Sequence, residues 1–186
     1  MRSSLFSREW ANAEDLSSQG GYLVFVADPK ALTPEGGIAV LVEWRTHRVK
    51  RKCKSTLTAE TISMEAATDA GLHTRQLLAE MLYEKYQPGK SGDLDPFLNR
   101  MIAITDCKSL HDCLVKDGPQ NSLSEKRLAV DIAGLQDVAA EFDEENPSAT
   151  FKWIPGVNQL ADGMTKKMQT YKLRDLLSRA SLSIVV

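Results

Sequence analysis

Gly21-Tyr22-Leu23-Val24-Phe25-Val26 is a short, apolar, β-rich run that ends at Asp28-Pro29, and it reads as a strand. Pro34-Glu35-Gly36-Gly37 is a strong turn signal, and Ile38-Ala39-Val40-Leu41-Val42-Glu43-Trp44 follows as a second strand. Two consecutive strands joined by a turn region predict an antiparallel hairpin. The period then changes. Ile62, Ala66, Ala70, Leu77 and Met81 recur at helical spacing, so Leu57–Tyr86 reads as one long amphipathic helix, locally weakened at Gly71.

Working outward, 87–95 is rich in proline, glycine and charge and reads as a loop. Met101-Ile102-Ala103-Ile104-Thr105 is a short strand, followed directly by a helical stretch with Leu110 and Leu114. Ser122 with Glu125 resembles a capping box ahead of a helical stripe of Leu128, Ile132, Leu135, Ala139 and Phe142. Thr150-Phe151-Lys152-Trp153-Ile154 is the last strand, stopped by Pro155-Gly156. Asn158 can cap a final helix with Leu160, Met164 and Met168. A further strand is possible before Trp10. The order predicts an α/β chain: a hairpin first, crossovers later, and a mixed sheet with helices packed on it.

The 186 residues suit one domain over 1–180, with a tail at 181–186 that reads as frayed or edge-packed from Ser178 on. Hydrophobic residues at 42% and charged residues at 26% suit a soluble globular protein, and a net charge of −2 argues for no partner class. No apolar run reaches membrane-spanning length, and Met1–Ser7 has no signal-peptide core. Cys53, Cys107 and Cys113 form no CxxC pair, which suits a reducing compartment. The expectation is an intracellular protein, of cytoplasm or nucleus, neither secreted nor bound to a membrane.

Three acids occupy comparable places in this pattern. Glu60 lies at the start of the long helix, Asp106 at the C-terminal edge of a short strand, and Asp162 in the first turn of the last helix. Strand ends and the helix turns beside them tend to meet on one rim of an α/β sheet. Converging carboxylates are the hard ligands that Mg²⁺ prefers, and two such ions can activate water and stabilise the leaving oxygen of a phosphodiester. Each acid also has a plainer account: Glu60 and Asp162 as charges favoured by the helix dipole, Asp106 as a helix cap. Spacing alone does not bring the three together, and taken singly the plainer account is the better one.

Four segments carry a resemblance. They are Trp10 to Tyr22 (WANAEDLSSQGGY), Lys54 to Glu60 (KSTLTAE), Thr105 to Leu110 (TDCKSL) and Trp153 to Lys166 (WIPGVNQLADGMTK). In this order they resemble the ribonuclease H region of copia-type retrotransposon Pol polyproteins, and they span most of the chain. Gln159-Leu160-Ala161-Asp162 followed by Thr165-Lys166 is the most specific block. The resemblance implies an α/β, ribonuclease H-like fold with a five-stranded mixed sheet flanked by helices. It implies four acids holding two Mg²⁺ ions, with Mn²⁺ able to substitute, and hydrolysis of the RNA strand of an RNA–DNA hybrid. Under it, Glu60 is the helix glutamate, Asp106 the acid after the central strand that bridges the metals, and Asp162 the late aspartate. Water would attack in line, leaving a 3′ hydroxyl and a 5′ phosphate. A reverse transcriptase segment of the same polyprotein is an implied partner.

The chain departs from this family at one acid. The family's first carboxylate sits on the first strand just before the tryptophan matched by Trp10, and that position is Ser7. Glu9 shares a strand face with Ser7, two residues on, and is the candidate replacement ligand. The part of the first strand upstream of Ser7 reads as truncated to Met1–Leu5. A missing ligand weakens metal affinity, so feeble or absent cleavage is expected unless Glu9 compensates.

Arg45, Arg48, Lys50, Arg51, Lys52 and Lys54, with His47 among them, read as a basic connector between the second strand and the long helix. They suit contacts to nucleic-acid phosphates, or equally a solvated connector that keeps a sheet edge soluble. Lys166 and Lys167 are weaker candidates for the same surface. Trp10, Trp44 and Trp153 read as core or hairpin packing, His73 and His111 as exposed helix residues, and Cys107 as a small residue beside Asp106. Two functional classes follow: a Mg²⁺-dependent hybrid ribonuclease, or a catalytically degenerate ribonuclease H fold that binds nucleic acid or connects to a polymerase. A third reading is an interaction scaffold unrelated to nucleic acid.

Overall fold

A computed structural model describes residues 2–8, 18–84, 86, 101–116, 125–142, 150–165 and 170–184. In chain order its elements are β1 (Arg2–Arg8), β2 (Gln19–Ala27), β3 (Gly37–Arg48), α1 (Thr56–Leu82), β4 (Met101–Thr105), α2 (Lys108–Leu114), α3 (Lys126–Phe142), β5 (Phe151–Trp153), α4 (Asp162–Thr165), α5 (Thr170–Arg179) and β6 (Ser181–Leu182). The strands lie in the order β5-β4-β1-β2-β3-β6. β1–β2, β2–β3 and β3–β6 are antiparallel, while β1–β4 and β4–β5 are parallel. The architecture is mixed α/β, and the hairpin expected from the first two apolar runs is β2–β3.

That hairpin turns where its residues allow. Asp28 accepts the Lys30 N–H on its side chain at 2.8 Å and starts a 3₁₀ turn at Pro29. Gly36 closes the loop at φ 71°, a backbone state that costs a side chain and that glycine adopts freely. β2 is buried on both faces because helices cover each side of it, so it reads as a continuous apolar run. Its alternate residues feed two cores. Tyr22 and Val24, with Met101, Ala103 and Phe151, pack against Met64, Ala67 and Ala70 of α1, Leu110 and Leu114 of α2 and Leu128, Ile132 and Leu135 of α3. Leu23, Phe25, Ile102 and Ile104 pack on the opposite face with Ile154, Leu160, Ala161, Leu176, Leu182 and Ile184.

α1 begins where Ser55 accepts the Thr58 N–H at 3.2 Å on its side chain. Its buried stripe is made largely of small residues (Ala59, Ser63, Ala67, Ala70, Gly71), so the helix lies close on the sheet. It ends at Leu82, short of the expected Tyr86, which stands outside the helix.

Several expectations are corrected. The sheet has a sixth strand, so of the two readings of 181–184, frayed or edge-packed, the structure takes the second. Ala180, at φ 50°, ends α5 and turns the chain into β6. Leu182 and Ile184 are then buried, and the Ile184 N–H donates to the Ala31 carbonyl at 2.9 Å. Asn158 caps no helix; it lies in a 3₁₀ turn over Gly156–Asn158, and the single final helix is split into α4 and α5. Trp44 is 61% exposed because β3 lies near the rim of the sheet, beyond the helices packed on the inner strands. His111 is not exposed; its Nδ1 sits 3.5 Å from Asp112. Trp10, Ser122 and Met168 lie outside the described residues. No described helix is long and apolar enough to cross a membrane.

Candidate functional site

Asp106 follows directly on β4, every residue of which is buried. The chain is bent there by its own hydrogen bonds. The Thr105 hydroxyl oxygen accepts the Cys107 N–H at 3.0 Å, and the Thr105 carbonyl accepts the Ile154 N–H at 3.0 Å. The Trp153 indole N–H donates to the Asp106 carbonyl at 3.1 Å, with the Lys108 ammonium 5.6 Å from the centre of the indole. Trp153 is therefore neither core nor hairpin filler: it pins the backbone of the acid. Nor is Asp106 a helix cap, since the N-cap of α2 is Cys107.

Glu60 sits past the first turn of α1 and is 2% exposed, so the helix-dipole account of it fails. Asp162 opens α4, a helix of only four residues, and is 1% exposed. A carboxylate buried this deeply is costly unless it is paired, hydrogen-bonded or bound to a metal. The Cys107 thiol registers two of the acids. Burial pushes it up, hydrogen bonds from Ser109 and the Leu110 backbone oppose the rise, and the charges of Glu60 and Asp106 both add to it. Gln159, 3% exposed, leads toward the third: its Nε2 donates to Asp106 Oδ1 at 3.5 Å, and its Oε1 accepts the Ala161 N–H at 3.4 Å, one residue before Asp162. Gln159 was legible in the sequence only as part of the block that ends in Asp162. Among the described residues, no three His, Cys, Asp or Glu side chains form a group able to hold a metal ion.

The position of Ser7 is fixed by backbone register. It lies level with Thr105 of β4 and Tyr22 of β2, at the strand end next to Asp106. Glu9, the candidate replacement, lies outside the described residues, as do Lys166 and Lys167.

The basic run is not one connector. Arg45 and Arg48 belong to β3, opposite Tyr22 and Gln19, and separation by an odd number of residues puts them on opposite faces. Lys50, Lys52 and Lys54 are exposed beyond the strand. Arg51 is turned inward, with its guanidinium 2.8 Å from Asp131 of α3. His47 is held below its ordinary value by burial first and by Arg45 second, which makes it a neutral member of the run at neutral pH. Beside it the Tyr22 hydroxyl donates to Glu43 Oε1 at 2.6 Å, and its pKa is pushed up to about 12 by burial and by Glu43. Compared with family models, curated proteins and solved structures, the chain matches none.

Proposed function

We propose that this chain is a ribonuclease H-like domain derived from a copia-type retrotransposon polyprotein, acting on the RNA strand of RNA–DNA hybrids. The observation that carries the reading is the junction after β4. Asp106 is pinned there by Trp153 and is tied through Gln159 to the turn that opens onto the buried Asp162, while Glu60 is buried on α1. The five longer strands add support: β3-β2-β1-β4-β5, with β2 alone running against its neighbours, is the arrangement expected of that fold. The four-segment resemblance supplies the substrate class and the reverse transcriptase partner.

Mg²⁺, two ions with Mn²⁺ able to substitute, is the cofactor of this reading, and Glu60, Asp106 and Asp162 are its ligands. The described residues by themselves do not gather three ligands, so the fit is partial. Arg45, Lys50, Lys52 and Lys54 would meet backbone phosphates, whereas Arg51 is committed to Asp131.

A second reading is favoured by Ser7, a serine whose backbone is in register with Thr105, at the position where the family carries an acid. In it the domain is catalytically degenerate and binds nucleic acid or a polymerase segment. Cleavage of a labelled hybrid in Mg²⁺ and in Mn²⁺, beside Asp106→Asn, decides between them. Cleavage lost in the mutant establishes the nuclease. Folded protein that binds hybrid without cutting it establishes the degenerate domain, and protein that neither binds nor cuts removes both.

A further inference from the structure

Between β3 and α1 the chain alternates in exposure from Val49 to Ser55. Val49 is buried and Arg51, Cys53 and Ser55 are half-buried, while Lys50, Lys52 and Lys54 are exposed. The inward residues are tied down. The Val49 N–H donates to the Ser18 carbonyl at 2.8 Å, and the Arg51 guanidinium lies 2.8 Å from Asp131 of α3. The Cys53 thiol donates to the Arg51 carbonyl at 3.5 Å, and Ser55 caps α1. The chain at the start of α3 braces this region a second time, since the Thr58 hydroxyl donates to Glu125 Oε2 at 3.1 Å. The lysines take no part: among the described residues, none of the three makes an ion pair.

Residues 49–55 belong to no strand or helix, and three like charges set two residues apart repel one another. Local sequence therefore favours a loose, solvated loop. What opposes this is the ion pair at the middle of the segment, where Arg51 and Asp131 have side chains 20% and 15% exposed. A pair so placed is screened less than one at the surface. By fixing Arg51 it fixes the side on which Lys50 and Lys52 stand. Three unpaired cations held in one arrangement suit an evenly charged polyanion, because binding then releases counterions with little ordering of the protein.

We propose that Arg51 and Asp131 are positioning residues for nucleic-acid binding. Their ion pair holds the connector so that Lys50, Lys52 and Lys54 meet backbone phosphates together, and neither member touches the nucleic acid. This rests on the nucleic-acid binding proposed above, and it adds an unexpected sign: an acid on α3 strengthens the binding of a polyanion.

Fluorescence anisotropy with a labelled RNA–DNA hybrid over a salt series tests it. Removing an acid by itself tightens binding to a polyanion. Asp131→Asn should instead weaken it, by about tenfold at roughly 0.1 M salt, and make the slope of log affinity against log salt shallower by about 1–2. Arg51→Gln should flatten the slope by more than the roughly 0.9 that one lost phosphate contact accounts for. Both are read on protein whose thermal melt lies above the assay temperature, and Arg51→Gln serves if Asp131→Asn does not fold. Three results would overturn the positioning role and leave hybrid binding standing: Asp131→Asn binding as tightly as wild type or more so, affinity lost at an unchanged slope, or an Arg51→Gln change worth a single contact. Wild-type protein that binds no hybrid would remove the nucleic-acid reading and this role with it.

Discussion

The indole N–H of Trp153 donates to the backbone carbonyl of Asp106 across the parallel pair β4–β5, at 3.1 Å. A residue that reads in sequence as packing thus holds the chain at the point where Asp106 leaves β4. Trp153→Phe keeps the ring and removes the donor. It should cost about 0.5–1.5 kcal/mol of stability in chemical denaturation, and hybrid cleavage or binding should fall with it. Unchanged stability would remove this role from Trp153.

At Gly20, side chains of α1 and β3 crowd β2. A Cβ there would stand 2.5 Å from Ser63 Oγ and 3.0 Å from His47 Cε1. Gly20→Ala should destabilise by about 1–3 kcal/mol through overpacking, and Gly20→Ala/Ser63→Ala should recover part of the loss. Thermal melts of the two variants check this.

The end of the described chain should behave as core. Ile184 is 4% exposed beneath the 3₁₀ turn that contains Ala31. Ile184→Ala should cost about 2–4 kcal/mol, measured by urea unfolding. A cost near zero would return these residues to the status of a tail.

His47 gives the protein an acid-side weakness. Its folded-state pKa lies below the ordinary 6.5, owing to burial and Arg45. Between those two values the unfolded chain binds more protons than the folded one, so this contribution is full above 6.5 and is lost as pH falls through that window. His47→Gln should flatten the fall in unfolding free energy just below neutrality. An unchanged pH profile would show that His47 titrates alike in both states.

Arg51 and Asp131 should act as a structural pair. With side chains 20% and 15% exposed, their contact is partly shielded from water. Arg51→Ala should cost about 1–3 kcal/mol, and a double-mutant cycle with Asp131→Ala should show coupling. Lys52→Ala, at an exposed position, should leave stability unchanged and, under the proposed function, weaken hybrid binding and its salt dependence.

The elements were legible wherever local pattern decides local structure. The apolar run at Gly21–Val26, the helical stripe through Ile62 and Ala70, and the strand Met101–Thr105 all form where their periods put them. Legibility failed where a residue's partner lies far along the chain. Trp44 and Trp153 have the same composition-level signal, yet one faces outward on β3 and the other finds the Asp106 carbonyl. Arg51 looks like its basic neighbours until α3 brings Asp131 beside it. The segment 181–184 has no period of its own, and it is placed by the edge of β3 and by the Ala31 carbonyl.

By itself, the sequence determined the α/β class, the long helix with Glu60 near its start and the acid after β4, because periodicity and motif are properties of neighbouring residues. Only the tertiary structure decided that Glu60 and Asp162 are buried, that Gln159 lies between Asp106 and the turn before Asp162, and that the basic run is divided between two faces and an ion pair. Those depend on contacts between residues distant in the chain, which form only once the sheet order brings their elements together.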